Sequence, residues 1–496
     1  MLSMKFGFNS VCLGTMLLAV TVLQAKTLTV AKSGGQYATV QAGLNAATAG
    51  DTVLVTPGIY NEGVSFGKSG TAAGPITLLG QKGAILDGTG VGAEELVSID
   101  SKSHVRVMGF EIRNLKKSGV PIGISISGGG SHIEIRGNHV HHIENANGNA
   151  HGIAAYGNSS TPISNLVVDG NEISDCKLGQ SESMVLNGNV TDFVVSNNVV
   201  HDNDNIGIDF IGFEGTGPSG QDQARNGLCF GNRVYNISSA TNPTYGGERS
   251  ADGIYVDGGR DIVIERNTVD KCDIAFEIAS EHGGKATSNI TIRNNFASRS
   301  YQGNIMSGGY AANKGIAENI VIVGNTTYGG GDGEVVLQHN CKGVTIKNNI
   351  FFALSGQNYL VNSGSKNTAV VADNNLYHGA SGTSPGDWAD ANAIYANPKL
   401  NNAPANLHLT AGSPAIDAGA ALEAVVAGAL DIDGEGRKGG SKSDVGADEF
   451  GSTTRLLPRL SAQRRLGGAQ WNGLGRSLSD AGSDHTGLSS PRIYRK

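Results

Sequence analysis

From about residue 130 to residue 380 the chain repeats one phrase: apolar residues at alternate positions, a polar step, an asparagine, then alternation again. It reads His132-Ile133-Glu134-Ile135-Arg136-Gly137-Asn138, then Leu166-Val167-Val168-Asp169-Gly170-Asn171, then Phe193-Val194-Val195-Ser196-Asn197-Asn198. Further copies end at Asn232, Asn267, Asn295, Asn325, Asn349 and Asn375, at spacings of 33, 27, 34, 35, 28, 30, 24 and 26 residues. A period of two inside each copy marks strand rather than helix. Recurrence at this length marks one unit stacked on itself. The shortest spacings fit one turn of a solenoid with three short strands. The pattern therefore predicts an all-β chain, a right-handed parallel β-helix of about ten coils. Asn138 through Asn375 should lie near one corner, where asparagine tolerates left-handed backbone angles and can bond its amide from coil to coil.

A solenoid must cover its ends. The one clear helical period, Val40 to Ala47, predicts an N-terminal capping helix ahead of Gly50-Asp51-Thr52-Val53-Leu54-Val55. At the far end, Ser413-Pro414-Ala415-Ile416-Asp417-Ala418-Gly419 and Asp444-Val445-Gly446-Ala447-Asp448-Glu449-Phe450 read as a structural cap. Phe450 is taken as the last apolar residue of the body. Length alone would allow several domains. With 73 glycines in 496 residues and only 16% charged side chains, composition instead favours many short strands with tight corners in one domain, 26–450.

The flanks differ from this body. Lys5, the apolar run Val11 to Leu23 and Gln24-Ala25 read as a signal peptide over 1–25, which implies a secreted or periplasmic protein. No later run is apolar and long enough for membrane insertion. Residues 451–496 carry eight Lys/Arg against two Asp/Glu and have no periodicity, so a disordered basic tail is expected. The rest holds 29 basic and 42 acidic residues. That balance excludes nucleic acid as a partner, because phosphate needs clustered Lys and Arg. Cys176, Cys229, Cys272 and Cys341 are too far apart in sequence for a zinc motif and are expected as buried thiols in a monomer.

The repeat also locates candidate chemistry. Its largest insertions, Gly212 to Arg225 and Ser238 to Ser250, fall in two neighbouring coils, and insertions in solenoids often build the binding face. Beside them, Gly207-Ile208-Asp209, Gly253-Ile254-Tyr255, Ala275-Phe276-Glu277 and Asn304-Ile305-Met306 align. If Ile208, Ile254, Phe276 and Ile305 point inward, Asp209, Tyr255, Glu277 and Met306 form an outward, solvent-facing row, with Asp257 beside them. Tyr255, Asp257 and Glu277 are the catalytic candidates. Tyr245, Arg249, Glu281 and His282 rim the same place as candidates for binding a polysaccharide or oligosaccharide. Asp202, Asp204 and Asp209 could help to hold Ca²⁺, which favours several oxygen ligands. A carboxylate pair two coils apart, about 9.6 Å at the backbone, can flank a glycosidic bond.

The opening Ala49-Gly50-Asp51-Thr52-Val53-Leu54-Val55-Thr56-Pro57-Gly58-Ile59-Tyr60 and the closing motif resemble the pectate-lyase-like right-handed β-helix proteins, nearest in pattern to polysaccharide lyase family 9. The resemblance implies a secreted enzyme that breaks a uronate-containing glycan by Ca²⁺-assisted β-elimination. Of the family's calcium-binding acidic run, Asn205-Ile206-Gly207-Ile208-Asp209 keeps only Asp209. Tyr255 stands where the family has its lysine base. Three readings follow: a lyase with Tyr255 or His282 as base, a glycoside hydrolase using Asp209, Asp257 and Glu277, or a non-catalytic glycan-binding surface protein.

Overall fold

The computed structural model describes residues 25–145, 147–379, 384–437 and 439–452. The expected signal peptide, but for Ala25, and all but the first two residues of the expected tail lie outside these. Each repeat supplies three short strands to three parallel sheets. Gly130–Arg136 lies in the first sheet, His139–Glu144 in the second and His151–Gly157 in the third. The next coil lays Ile163–Asp169 on the first of these in register, pairing Ile133 with Leu166 and Ile135 with Val168. The sheets hold 14, 13 and 11 strands, so the helix winds more coils than the asparagine phrase predicts. The early coils lack an asparagine at that corner; the amide N–H of Phe110 donates to Asn138 Oδ1 instead, at 3.1 Å. Inward side chains of all three sheets form one continuous apolar core along the axis. All four described cysteines are buried thiols, and no described helix is long and apolar enough to cross a membrane.

The asparagines form a continuous ladder between the first and second sheets. Asn198 Nδ2 donates to Asn232 Oδ1 at 2.9 Å, and Asn232 Nδ2 to Asn267 Oδ1 at 2.9 Å. The remaining N–H of Asn232 Nδ2 reaches the Val195 carbonyl at 3.1 Å, and the backbone N–H of Asn198 also donates to Asn232 Oδ1 at 3.0 Å. The same pattern runs to Asn375, whose amide ends on Asp390 Oδ2 at 2.8 Å. The left-handed angle falls on the residue before each ladder asparagine, not on the ladder residue itself. Gly137, Gly170, Asn197, Gly231, Arg266, Asn294, Gly324, Asn348 and Asn374 have φ between 54° and 65°. The turn is thus made one residue early, and the ladder asparagine keeps its side chain buried at the corner.

The N-terminal helix forms over Val40–Ala46 as expected. Thr39 caps it, and the Glu62 carboxylate accepts the Val40 and Gln41 N–H groups. The C-terminal segment does more than close the end. It runs back along the asparagine corner, where Asn374, Asn348 and Asn294 donate side-chain N–H groups to the carbonyls of Ala418, Ala420 and Ala427. Phe450 is 40% exposed and so is no plug for the core.

Replacing Asn232 by alanine would orphan the Val195 carbonyl and the Asn198 donors, all buried. An unmade buried hydrogen bond costs about 1–3 kcal/mol, so Asn232→Ala is expected to lose roughly 3 kcal/mol or more in urea unfolding. A loss under about 1 kcal/mol would show that the ladder contributes little.

Candidate active site

The outer face of the third sheet carries the expected row. Backbone pairing puts Asp209 against Tyr255, Tyr255 against Glu277 and Glu277 against Met306. Ile208, Ile254, Phe276 and Ile305 point into the core, so their neighbours must face out. Apolar clusters bound this polar window: Ile122, Ala154, Val185 and Ile211 on one side, Ile274, Met306 and Val336 on the other. The row is not solvent-facing, however. Asp209, Tyr255 and Glu277 are only 2%, 2% and 0% exposed, and Asp257 5%.

The two insertions lie at opposite edges of the sheet. Gly212 to Arg225 leaves the C-terminal end of Ile208–Ile211, whereas Ser238 to Ser250 enters the N-terminal end of Asp252–Asp257. The residues expected to bind substrate split accordingly. Tyr245 Oη accepts from Asn205 Nδ2 at 3.1 Å, and the Arg249 guanidinium stacks over Tyr301 at 4.5 Å, both at the entering edge. Glu281 and His282 sit at the leaving edge. There the Glu281 N–H donates to Asp257 Oδ1 at 2.9 Å, and His282 Nε2 meets Glu214 Oε1 of the first insertion at 2.9 Å.

Three acidic residues proposed for calcium are not brought together. Asp202 follows a strand of the second sheet and is held by His201 and by Asn236 Nδ2. Asp204 Oδ1 accepts the Leu178 N–H at 2.7 Å. Asp209 alone belongs to the row. The period-two pattern does not extend through the turn that separates 202 from 209, so nearness in sequence gave no common face. A different group can hold a cation: ligand atoms of Glu214, Asp257 and His282 all lie within 4.8 Å of one another.

Sequence reasoning also missed Glu182, His151, Tyr156 and Gln338. His151 Nδ1 lies 3.2 Å from the Glu182 carbonyl and 3.5 Å from its carboxylate. The Tyr156 hydroxyl bonds His151 Nε2 at 2.8 Å. Gln338 Nε2 donates to Glu277 Oε1 at 2.9 Å from two coils away. Burial alone, extended along the third sheet's outer face, was the signal that could have found them.

Electrostatics follow from this crowding. Burial drives the Asp209 carboxyl well above the usual range, and the Glu182 and Asp257 carboxylates push it further. Burial does the same to Asp257, with Glu281, Glu214 and Glu277 adding to it. Burial raises Glu182 to about 8, aided by Glu214 and Glu281. Among the described residues, no Lys or Arg forms an ion pair with Glu182, Asp209, Glu214 or Asp257; only His151 and His282 do. Like charges in a dry site cannot all ionise, so protons stay on some of them.

Residues 230–398 match the family model described as a right handed beta helix region. A parallel β-helix of right-handed winding is therefore the class to which the chain belongs. More narrowly, it belongs to the family of the uncharacterized protein YwoF of Bacillus subtilis (strain 168). The two are 36% identical over 348 residues, 67% of this chain and 74% of that protein. Among solved structures, pectate lyase Pel9A is similar at 14% identity and a TM-score of 0.42, over 86% of this chain and 96% of its own. The A-module of the Azotobacter vinelandii mannuronan C-5 epimerase AlgE4 is similar at 15% identity and a TM-score of 0.47, over 72% and 95%. Likeness at this level concerns the path of the chain, not its chemistry.

Glu182 has a folded pKa of about 8 against an ordinary 4.5. A group raised in this way leaves stability intact below its unfolded pKa and erodes it as pH rises through the folded one. Glu182→Gln cannot ionise. Its melting temperature should therefore climb relative to the parent protein as pH rises from 4.5 to about 8. A constant offset across that window would mean that Glu182 ionises freely in the folded state.

Proposed function

We propose that the protein is a secreted carbohydrate-active enzyme, a glycoside hydrolase that cuts a polysaccharide with the carboxyl groups of the third sheet's outer face. The observation that supports this reading best is the burial of Asp209 against Glu182 and Asp257 with no described Lys or Arg paired to any of them. A hydrolase needs one carboxyl that keeps its proton to give to the leaving oxygen, and one carboxylate to activate water. Asp209 suits the first role, because its neighbours disfavour its ionisation. Glu277 suits the second: it lies two strands away, about 9.6 Å at the backbone, and its Oε1 is oriented by the Gln338 amide. Tyr255, in register between them, is a hydrogen-bonding floor rather than a base. Water attacks the anomeric carbon as Glu277 takes its proton, and the glycosidic oxygen leaves with the proton of Asp209.

One observation favours a second reading, cation-assisted β-elimination of a uronate. Glu214, Asp257 and His282 present two carboxylates and an imidazole close together. Ca²⁺ prefers oxygen ligands alone, and an imidazole suits a first-row divalent ion better. Such an ion would supply charge to neutralise a uronate carboxyl group, while His282 at its edge would then be a ligand and not a base.

A panel of neutral and acidic polysaccharides separates the two. Hydrolysis should release new reducing ends without ultraviolet absorbance; an unsaturated, absorbing product would replace the hydrolase reading with the lyase. Glu277→Gln and Asp209→Asn should each lower turnover about 10²-fold or more, with melting temperature unchanged or raised. Full activity in either variant would remove that residue from the mechanism.

A further inference from the structure

Asn187 sits on the same outer face, two strands before Tyr255. Pairing places it between Tyr156 and Ile211, in the outward column beside the catalytic row. It is 6% exposed, yet its Oδ1 has no hydrogen-bond partner. The first insertion shelters it: a Cβ added to the adjoining Gly188 would meet Thr216 Cγ2 at 2.8 Å and Gly217 N at 3.0 Å. A buried acceptor without a donor costs about 1–3 kcal/mol. Folded proteins keep such groups rarely, and a ligand that completes them is one reason to do so.

Tyr156 on the neighbouring strand adds a second acceptor. His151 Nδ1 faces the Glu182 carbonyl at 3.2 Å, so it donates there, and its Nε2 must accept the Tyr156 proton at 2.8 Å. Burial, which lowers His151 to about 4, keeps this imidazole neutral. The phenol oxygen is left with lone pairs to offer. Burial first, and then the Glu182 and Glu214 carboxyl groups, oppose negative charge at that phenol, so an anion is disfavoured here.

We propose that Asn187 and Tyr156 form a sugar subsite under the first insertion, which accepts hydroxyl donors from a neutral sugar residue and refuses a uronate. The subsite rests on the reading of the protein as carbohydrate-active and adds the class of sugar it takes. Two acceptors in neighbouring strands call for a ligand that supplies two donors, such as a ring diol. A uronate carries ring hydroxyls too, so it is its carboxylate, which supplies no donor, that the buried acidic surroundings would exclude.

The test is calorimetric binding of neutral xylo-, manno- and galacto-oligosaccharides, with oligogalacturonate and oligomannuronate beside them. At least one neutral series should bind the full-length protein more tightly than either uronate series. Asn187→Ala should weaken that binding about tenfold, and Tyr156→Phe should weaken it in the same direction. The melting temperature of Asn187→Ala should stay level or rise, because the substitution removes an acceptor that makes no bond in the free protein. A loss of stability would instead assign Asn187 a structural role and overturn the subsite. Neutral oligosaccharides bound equally by Asn187→Ala would overturn it while leaving the carbohydrate reading in place. Preference for a uronate would overturn the neutral class and favour the lyase. Binding of none of these sugars, with no polysaccharide cleaved, would sink the subsite and the carbohydrate reading together.

Discussion

The coils from Asn138 to Asn375, which carry the candidate site, are held in register by the asparagine ladder at the corner of the first and second sheets. An amide has two N–H donors and one carbonyl acceptor, and each ladder asparagine in the middle of the stack engages all three. Both N–H groups and the carbonyl oxygen are spent between coils, so a coil cannot slip without breaking bonds on both sides. Such bonds are worth most where water is excluded. The residue before each asparagine takes the left-handed angle, and three of these, Asn294, Asn348 and Asn374, hold the returning C-terminal segment. One corner therefore fixes the register of the coils and the path of the chain that covers them.

Fixed register makes the site possible. Strands in parallel register bring residues of successive coils to about 4.8 Å at the backbone. Acidic residues at equivalent positions are then forced together, whatever their mutual repulsion. Asp209, Asp257 and Glu277 share one face for this reason, with Tyr255 between Asp209 and Glu277, and the continuous apolar core supplies the stability that tolerates them. Since no described Lys or Arg forms an ion pair with Asp209 or Asp257, the repulsion is met largely by retained protons. A retained proton is what a general acid requires. The apolar clusters above and below the row confine this chemistry to a few coils of a surface that is otherwise a plain stack.

The fold was legible because its signal repeats. Alternation decided strand, the phrase length decided solenoid, and Val40 to Ala47 decided the cap. The row Asp209, Tyr255, Glu277 and Met306 was legible for the same reason: within a strand, the neighbour of an inward residue faces out. The calcium set failed where that rule stops. Asp202 and Asp209 are separated by a corner, and alternation carries no information across a turn. Glu182 and His151 were missed because they stand where strands begin, outside the repeating phrase. Glu214 was passed over inside an insertion whose path has no period at all.

By itself, then, the sequence determined what is periodic and local: the strands, the stacking, the asparagine corner and the face on which the polar row lies. Only the tertiary structure decided the environment of that row. It buried carboxyls that alternation made solvent-facing, brought Glu214 and His282 to Asp257, and split Tyr245 and Arg249 from Glu281 and His282 across the sheet. The physical reason is one of range. Side-chain direction is set by the adjacent peptide units, whereas burial, and with it the state of a proton, depends on every chain segment that folds over the group.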